Sequence, residues 1–401
     1  MRTIIVGAGI AGLWLADKLK EKGNDTVLVL EKNDYIGGRI ITSKHGYEIG
    51  AGRISTKHKH ILALIKRFGL QTVPIHSDVK WKALGDETSQ PNNFADAWAP
   101  IIKLLSHLKV KSLHSHTLRS LATATLGSDL TDSLLERFGY RAETDTLRAD
   151  LGIRAFQNEM GSDSSFVVVA GGLSQLVNAL AKAKGIDVRL NTTVQDVTEA
   201  GGIYYVRTPK QTFECDRVIL ALPVNALRHL PCIRGFKALE YLQMEPLTRI
   251  YAQTVGPLPQ SLSKRLITDS PLRYIIPIRP DKGLVMISYM ESQDTRRWHG
   301  LKGGQLIVAL QKELRRLFPL EEAVNFRWAR AYEWDAGCSY WIPHADQYDA
   351  TVESKRALRP FPDTMPHLHL CGESFSLRQA WIEGALEHAA SLLALLAFTK
   401  P

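Results

Sequence analysis

Residues Thr3–Arg39, TIIVGAGIAGLWLADKLKEKGNDTVLVLEKNDYIGGR, decide the fold of this chain. An apolar, β-branched run, Ile4–Val6, ends at Gly7, as a buried parallel strand does. Apolar residues at helical spacing follow, and Gly23 marks the end of that helix. Val27–Leu30 predicts a second buried strand. The stretch therefore predicts a β-α-β unit and an α/β fold of the Rossmann type.

The first strand and the helix are joined by a G-x-G-x-x-G motif, Gly7-Ala8-Gly9-Ile10-Ala11-Gly12. The first glycine allows the tight turn, the second lets a pyrophosphate approach the backbone, and the third lets the helix pack on the strand. The helix N-terminus offers free N–H groups to an anion. Glu31 ends the second strand, where a carboxylate accepts ribose hydroxyl bonds and disfavours the 2′-phosphate of NADP. These residues predict a dinucleotide site, and either NAD or FAD satisfies them.

Two further glycine-rich elements help to decide between NAD and FAD. Gly37-Gly38-Arg39 follows Glu31 by six residues, and Glu48-Ile49-Gly50-Ala51-Gly52-Arg53 comes next. This order resembles the flavin amine oxidase superfamily, which implies FAD, with Arg39 at its pyrophosphate. The cofactor-binding residues that the resemblance implies are Gly7, Ala8, Gly9, Ile10, Ala11, Gly12, Glu31, Lys32, Gly38, Arg39, Gly50, Ala51, Gly52, Arg53, Val194, Gly372, Glu373, Trp381, Ile382 and Ala385.

The C-terminal part carries a matching element. Gly372-Glu373 is followed by Arg378–Glu387, RQAWIEGALE, which opens a long helix. In the family the N-terminus of this helix faces the electron-rich edge of the flavin, where its dipole stabilises the reduced form. The sequence departs from the family pattern at Ala380, where glycine is common. The element favours FAD over NAD.

The resemblance covers nearly the whole chain and predicts two interleaved domains. We expect a Rossmann-like FAD-binding domain of the glutathione-reductase and amine-oxidase type at residues 1–56, 166–235 and 336–401. We expect an α+β substrate domain at residues 57–165 and 236–335. Val194, in the second FAD segment, is expected either to contact the adenine through its backbone or simply to pack in a core strand.

The periodicity of the rest of the chain predicts the remaining elements. A helical block without strands is expected from its first helix, Thr56–Gly69, to its last, Thr144–Phe156. Phe166–Val169 is expected to resume a parallel sheet. The other elements expected are helices at Ala95–Leu108, Thr117–Leu126, Leu130–Phe138, Phe236–Leu242 and Gly304–Leu317, and strands at Ile186–Leu190, Thr193–Val197, Arg217–Leu222, Thr248–Thr254, Tyr274–Ile278, Leu284–Met290, Asn325–Tyr332 and Leu368–Cys371.

Composition limits the classes of partner. The net charge is +9, but the charges are scattered and form no basic stripe, so we expect no nucleic acid and no membrane as partner. The four cysteines lack metal spacing, and no metal is expected. The cofactor strand begins at Thr3 and no apolar stretch is long enough to span a bilayer, so a cytoplasmic location is expected. The oligomeric state is open, with a homodimer as one alternative.

The stretch from Gly50 to Leu70 resembles the L-amino acid oxidase branch of the superfamily. There an arginine at the position of Arg53 pairs with the substrate α-carboxylate, and simple amine oxidases lack it. A guanidinium suits a carboxylate because it stays charged and binds it in a bidentate manner. The alternative is that Arg53 is a structural ion-pair residue. Tyr289 resembles the tyrosine that violacein-type tryptophan oxidases place at the same carboxylate, or it is a half-buried strand residue.

Three further positions bear on the chemistry. Arg249 stands where the family has a lysine that assists the reaction with O2, and arginine cannot deprotonate. Trp381 matches the aromatic residue beside the reacting amine, while Ser339 replaces the second aromatic residue. Cys338 matches the cysteine that bonds to the flavin in monoamine oxidases, although most relatives bind FAD noncovalently. We interpret His58, His60, His114 and His116 as surface residues.

The sequence predicts an FAD-dependent enzyme that oxidises the Cα–N bond of an L-amino acid to an imino acid, which hydrolyses to a 2-oxo acid and ammonia. Reoxidation of the flavin by O2 would give H2O2. Arg53, Arg249, Tyr289 and Trp381 are the candidate catalytic residues. The alternatives are an oxidase of primary amines or polyamines, a flavoprotein that uses another electron acceptor, and a catalytically weak flavin-binding protein.

Overall fold

The computed structural model describes residues 1–23, 26–75, 78–160, 165–183, 185–319 and 323–398, with the side chain of residue 398 excepted. The chain divides into two units. The first comprises Met1–Ile75, Ser165–Gln243 and Tyr348–Pro401, and the second comprises His76–Ser164 and Met244–Gln347.

Each of the two units contains both helices and strands. In chain order, the helices are α1 (Ile10–Glu21), α2 (Lys59–Arg67), α3 (Phe94–Ser106), α4 (Val110–Ser115), α5 (Leu118–Leu126), α6 (Ser128–Glu136), α7 (Ala142–Asp145), α8 (Ala149–Glu159), α9 (Ser174–Ala181), α10 (Val224–Arg228), α11 (Gly303–Leu317), α12 (Ala350–Ala357) and α13 (Ile382–Phe398). The strands are β1 (Arg2–Val6), β2 (Thr26–Leu30), β3 (Ile54–Ser55), β4 (Thr72–Ile75), β5 (Val79–Lys82), β6 (Gln90–Pro91), β7 (Phe166–Val169), β8 (Ile186–Arg189), β9 (Asp196–Ala200), β10 (Ile203–Arg207), β11 (Thr212–Cys215), β12 (Arg217–Leu220), β13 (Leu242–Thr254), β14 (Arg265–Thr268), β15 (Tyr274–Arg279), β16 (Leu284–Glu291), β17 (Phe326–Trp341) and β18 (Leu368–Leu370).

The first unit is built on a parallel sheet in the order β18-β12-β1-β2-β8. The inner strands β1 and β12 are buried, and α1, α9 and α13 pack over the sheet in one apolar core, in which Leu13, Leu176 and Leu386 are fully buried. Burial on both sides is why β1 and β12 are continuous apolar runs rather than alternating ones. The α/β class expected from the sequence is confirmed.

Two small antiparallel sheets complete the described part of the first unit. One has the strand order β11-β10-β9, and its neighbouring strands are antiparallel. The other is β3-β7-β4, in which Ser55 lies opposite Phe166. The expectation that β7 resumes the parallel sheet was therefore wrong: both its neighbours run antiparallel to it.

The second unit combines a mixed sheet with a helical cluster. The sheet has the order β17-β13-β16-β15-β14-β5-β6. Helix α11 packs its Leu306, Leu310 and Leu314 into the apolar core of this sheet. Helices α3, α5 and α8 form a separate core around Trp98 and Phe156.

Several sequence-based boundaries differ from the structure. Lys59–Arg67 was expected in the substrate domain but belongs to the first unit, because its apolar face packs in the core of that unit. The block expected to lack strands contains β4, β5 and β6. Their sequences are short and partly polar; β4 and β5 pair with strands distant in the chain, and β6 pairs with β5. Two boundaries between the units lie after residues 243 and 347, whereas the sequence predicted them after residues 235 and 335.

Three local expectations need correction. The segment expected as helix Phe236–Leu242 is a 3-10 turn at Lys237–Tyr241. Strand β9 begins at Asp196 and leaves Val194 in an irregular segment. Strand β17 continues to Trp341, well beyond the expected end at Tyr332, because it pairs with the long strand β13.

Candidate functional site

The glycine motif forms the turn between β1 and α1. A Cβ atom on Gly12 would lie 2.1 Å from the carbonyl oxygen of Gly7, so this position allows close packing of the helix against the turn. A Cβ atom on Gly9 would meet no described protein atom within 4 Å. Gly9 is the N-cap of α1, which has neither a side-chain cap nor an acidic residue in its first turn. The loop therefore offers an anion a backbone approach at Gly9 and the N-terminus of a helix.

The carboxylate of Glu31 lies at the end of β2, beside this turn. It accepts the backbone N–H of Ala8 at 2.8 Å and two donors of Asn33, the backbone N–H at 3.0 Å and the side-chain amide at 2.8 Å. Glu31 is 6% exposed. Each carboxylate oxygen can accept more than one bond, so Glu31 fixes the glycine turn and can still accept from a hydroxyl group.

The second glycine pair packs on the first glycine loop. Gly37 donates its N–H to the carbonyl of Ala8 at 2.8 Å, and Gly38 has a left-handed φ of 59°. Arg39 follows and forms an ion pair with Glu373 at 2.9 Å. The second oxygen of Glu373 accepts the N–H of Ala380 at 2.9 Å. Segments more than 300 residues apart in the chain thus meet around one buried carboxylate.

Glu48 organises the Gly50–Arg53 segment. One oxygen of its carboxylate accepts the hydroxyl of Thr42 at 3.0 Å, and the other accepts the N–H of Leu173 at 2.6 Å. A Cβ atom on Gly52 would lie 2.3 Å from Cγ of Glu48, which is why this position requires glycine. The segment is therefore held next to the Gly172 turn that leads into α9.

Arg53 lies against two aromatic rings of the same unit. Its Cζ is 4.8 Å from the centroid of Phe166 and 5.0 Å from that of Trp381. These rings are parallel within 4°, with centroids 5.8 Å apart. The stacking orients the guanidinium through cation–π attraction.

His58 joins this cluster, contrary to the expectation that it lies on the surface. It is 1% exposed, and its ring lies 5.2 Å from that of Trp381 in an edge-to-face arrangement. Its Nδ1 accepts the N–H of Ser55 at 3.3 Å. The pKa of His58 is lowered to about 4, chiefly by burial; Glu383 opposes this shift, and the charges of Arg378 and Arg53 add to it. The imidazole is therefore neutral at pH 7.

Glu383 joins the N-termini of two helices. It lies in the first turn of α13, and its carboxylate accepts the backbone N–H groups of Lys59, His60 and Ile61 at 2.7, 2.8 and 3.0 Å. These are the first N–H groups of α2, which have no partner within the helix. The carboxylate is 2% exposed and also opposes the positive end of the helix dipole.

Arg249 and Tyr289 lie directly opposite each other on β13 and β16 of the second unit. Cζ of Arg249 is 5.2 Å from the Tyr289 ring centroid. Burial acts to lower the pKa of Arg249, but Tyr251 and Tyr289 raise it, and the net direction is upward. The guanidinium therefore keeps its charge.

The hydroxyl of Tyr289 donates a hydrogen bond to Glu291 at 2.8 Å. The other oxygen of Glu291 accepts the N–H groups of Arg141 and Ala142, each at 3.2 Å. Burial and then the charge of Glu291 raise the pKa of Tyr289 well above its ordinary value, against the effect of Arg249. The phenol is therefore a neutral donor.

Ser339 and Cys338 lie near the end of β17, also in the second unit. Ser339 is fully buried and Cys338 is half-buried. The next residue, Tyr340, directs its hydroxyl towards Glu143 at 3.4 Å. Among the residues that the structure describes, all four cysteines are free thiols.

The structure thus brings Arg53 and Trp381 together in the first unit, and Arg249 and Tyr289 in the second. Of the other residues implied by the resemblance, Lys32 is exposed, Val194 is half-buried, and Ile10, Ala11, Ile382 and Ala385 are buried. Four residues of these two clusters were not expected there from the sequence: Phe166, His58, Glu383 and Glu291. An acid two residues after Trp381 was a signal for Glu383, whereas no local pattern marked the other three.

Proteins of similar sequence indicate the family of this chain. Residues 10–391 match the family model of flavin-containing amine oxidoreductases. A flavin-dependent L-tryptophan oxidase from Lentzea aerocolonigenes is 25% identical over 468 aligned positions, which cover 96% of this chain and 95% of that protein.

Two other relatives match over part of their length. An L-amino acid oxidase from Cerastes cerastes is 25% identical, with 57% of this chain and 52% of that protein covered. A flavin-containing amine oxidase from Oncorhynchus mykiss is 26% identical, with 55% and 49% covered. The matched region spans about half the length of each of these two proteins.

Two further observations concern the described residues only. None of their helices combines the length and the apolar character needed to cross a membrane. Their His, Cys, Asp and Glu side chains form no group of three or more that could hold a metal ion.

Proposed function

Because the chain belongs to the family of flavin-containing amine oxidoreductases, we propose that it oxidises the Cα–N bond of an L-amino acid. It is an FAD-dependent oxidoreductase. The observation that carries the substrate proposal is Arg53, whose charged guanidinium is oriented by two parallel aromatic rings. An amine without a carboxylate has no use for such a cation.

The residues of the first unit fit FAD. The backbone at Gly9 and the N-terminus of α1 would hold the pyrophosphate, and Glu31 would accept bonds from the ribose. We propose that Arg39 contributes charge at the pyrophosphate and that binding is noncovalent. When bound, the flavin accepts the hydride that leaves the substrate α-carbon.

The protein residues would orient the substrate rather than transfer protons. Arg53 would bind the α-carboxylate, and Trp381 would flank the reacting amine. The hydroxyl of Tyr289 donates its single hydrogen to Glu291, so we assign Tyr289 no donor role towards the substrate. Tryptophan is the first substrate to test, because the relative that this chain matches over 95% of its length is named an L-tryptophan oxidase.

Arg249 bears on which electron acceptor reoxidises the reduced flavin. It is half-buried and keeps its positive charge, where the family has a lysine that can deprotonate. We propose that O2 reoxidises the flavin and gives H2O2, with an artificial one-electron acceptor as the comparison. If the acceptor supports turnover at least about tenfold faster than air-saturated buffer does, the natural acceptor is not O2.

The test combines two proteins and two substrates. Arg53→Met keeps the length of the side chain and removes its charge. Truncating one partner of a desolvated ion pair costs about 2–5 kcal/mol, and we use roughly 2–3 because Arg53 is only half-buried. The kcat/KM for L-tryptophan should then fall about 30- to 150-fold, while tryptamine should lose little.

Arg67→Met is the matched control. Arg67 is also stacked on a ring, that of Phe68, but it pairs with Asp17 and belongs to no glycine loop. It should change the values for acid and amine by the same small factor. Equal losses for both substrates in Arg53→Met would show that Arg53 is structural and would remove the basis of the amino acid proposal.

A further inference from the structure

We propose that His58 is a positioning residue, whose ring holds the indole of Trp381 in the orientation that the reaction requires. The proposal rests on the proposed function only in that Trp381 is taken to flank the reacting amine. His58 itself is not expected to touch the substrate.

His58 stands at the N-cap position of α2 but does not cap the helix. It is the N-cap residue of α2, with φ −75° and ψ 117°, yet its side chain makes no capping hydrogen bond. Such positions normally favour Ser, Thr, Asp or Asn. The N–H groups of α2 are instead bound by Glu383. Helix capping therefore gives no reason for a histidine at this position.

The contacts of the ring give a better reason. Its Nδ1 accepts the N–H of Ser55, which fixes the ring relative to β3. Its ring and the Trp381 ring are edge-to-face, with 5.2 Å between centroids and 78° between planes. Trp381 has the Phe166 ring stacked parallel to it and a further contact from Arg53. His58 thus adds a perpendicular restraint to a ring that otherwise has only stacking partners in this cluster.

The charge state fits this role. Burial lowers the pKa of His58 to about 4, so the ring adds no positive charge beside Arg53 at neutral pH. Glu383 couples the same two segments, since it lies two residues after Trp381 and binds the three residues after His58. The start of α2 and the start of α13 are therefore fixed to each other by both backbone and ring contacts.

Two substitutions separate the ring contact from the hydrogen bond. His58→Asn can still accept the N–H of Ser55 and is a favoured N-cap, so α2 should stay folded, but it removes the ring. His58→Phe keeps a ring against Trp381 and removes the acceptor. We expect kcat to fall about tenfold or more in His58→Asn, because small displacements of positioning groups have large effects on rate. His58→Phe should stay within about threefold of the parent enzyme.

A double-mutant cycle tests whether the effect passes through Trp381. Both the parent enzyme and Trp381→Leu would be compared with and without His58→Asn, and the rate constant of flavin reduction would be measured anaerobically in a single turnover. With the indole absent, His58→Asn should change the rate less than about twofold. His60→Asn, a change in the neighbouring histidine, is the matched control and should leave the rate unchanged in both backgrounds.

The outcomes are distinct. The positioning role would be overturned if His58→Asn slowed flavin reduction by the same factor in the parent and in Trp381→Leu. It would also be overturned if His58→Phe were as slow as His58→Asn. The flavin content of each variant, measured from its absorbance, should equal that of the parent. Failure of the amino acid proposal shows separately, as equal losses of acid and amine in Arg53→Met, and the His58 cycle can then be measured on the amine.

Discussion

The buried carboxylate of Glu383 gives the most quantitative prediction. Glu383→Gln keeps the size of the side chain, and its remaining carbonyl oxygen can accept the two N–H groups at 2.7 and 2.8 Å. Its NH2 group then faces the N–H of Ile61, which loses its acceptor. A buried N–H left unsatisfied costs about 1–3 kcal/mol, and two bonds weakened from charged to neutral cost about 1 kcal/mol each. The free energy of unfolding should therefore fall by about 3–5 kcal/mol.

Urea unfolding of the FAD-bound protein at pH 7.5, followed by far-ultraviolet circular dichroism, measures this change. With a slope of about 3 kcal/mol per molar urea, the midpoint should fall by roughly 1–2 M. Flavin fluorescence in the same samples reports whether the cofactor leaves in the same transition.

Glu387→Gln is the control for this substitution. Glu387 lies one turn further along α13 and pairs with Arg378, but its side chain is 36% exposed, so less than about 1 kcal/mol should be lost. If Glu383→Gln also lost less than about 1 kcal/mol, the carboxylate would not be the N-terminal cap of α2 in solution, and the argument from the three hydrogen bonds would be refuted.

Backbone geometry and burial lead to three more predictions. Gly9→Ala should abolish flavin retention and leave the melting temperature of the flavin-free protein unchanged, because its Cβ would meet no described protein atom within 4 Å. Gly12→Ala should destabilise the flavin-free protein by about 1–3 kcal/mol, because its Cβ would collide with the backbone at Gly7. Ala380→Gly should raise the free energy of unfolding by about 1 kcal/mol, because Ala380 has φ 65°, and an unchanged urea midpoint would contradict this. Burial lowers the pKa of three histidines, His58, His369 and His388, to about 4. Because the unfolded chain binds protons that the native state excludes, the free energy of unfolding should be highest above pH 6.5 and fall as the pH drops towards 4, by up to about 1.4 kcal/mol per pH unit for each histidine. Urea midpoints between pH 7.5 and 4.5 measure this change, and a flat profile would refute it.

The sequence determined the glycine loop and the strands beside it because their requirements are local. The tight turn at Gly7, the close packing at Gly12 and the acid at Glu31 each follow from a few consecutive residues. The geometry agrees for all three, down to the 2.1 Å approach that a Cβ on Gly12 would make. The strands β1 and β12 could also be predicted, because burial on both faces leaves a continuous apolar run.

Tertiary structure decided what depends on contacts between distant segments. Strands β5 and β6 are short and partly polar, and they form because other strands pair with them, in the case of β5 one far along the chain. The ring cluster of His58, Phe166 and Trp381 joins three segments separated by more than 100 and 200 residues. A histidine in a polar stretch such as TKHKH predicts exposure, and only packing against α13 removes water from His58 and keeps it neutral. Local periodicity specifies which face of an element is apolar, but it does not specify which element will cover that face.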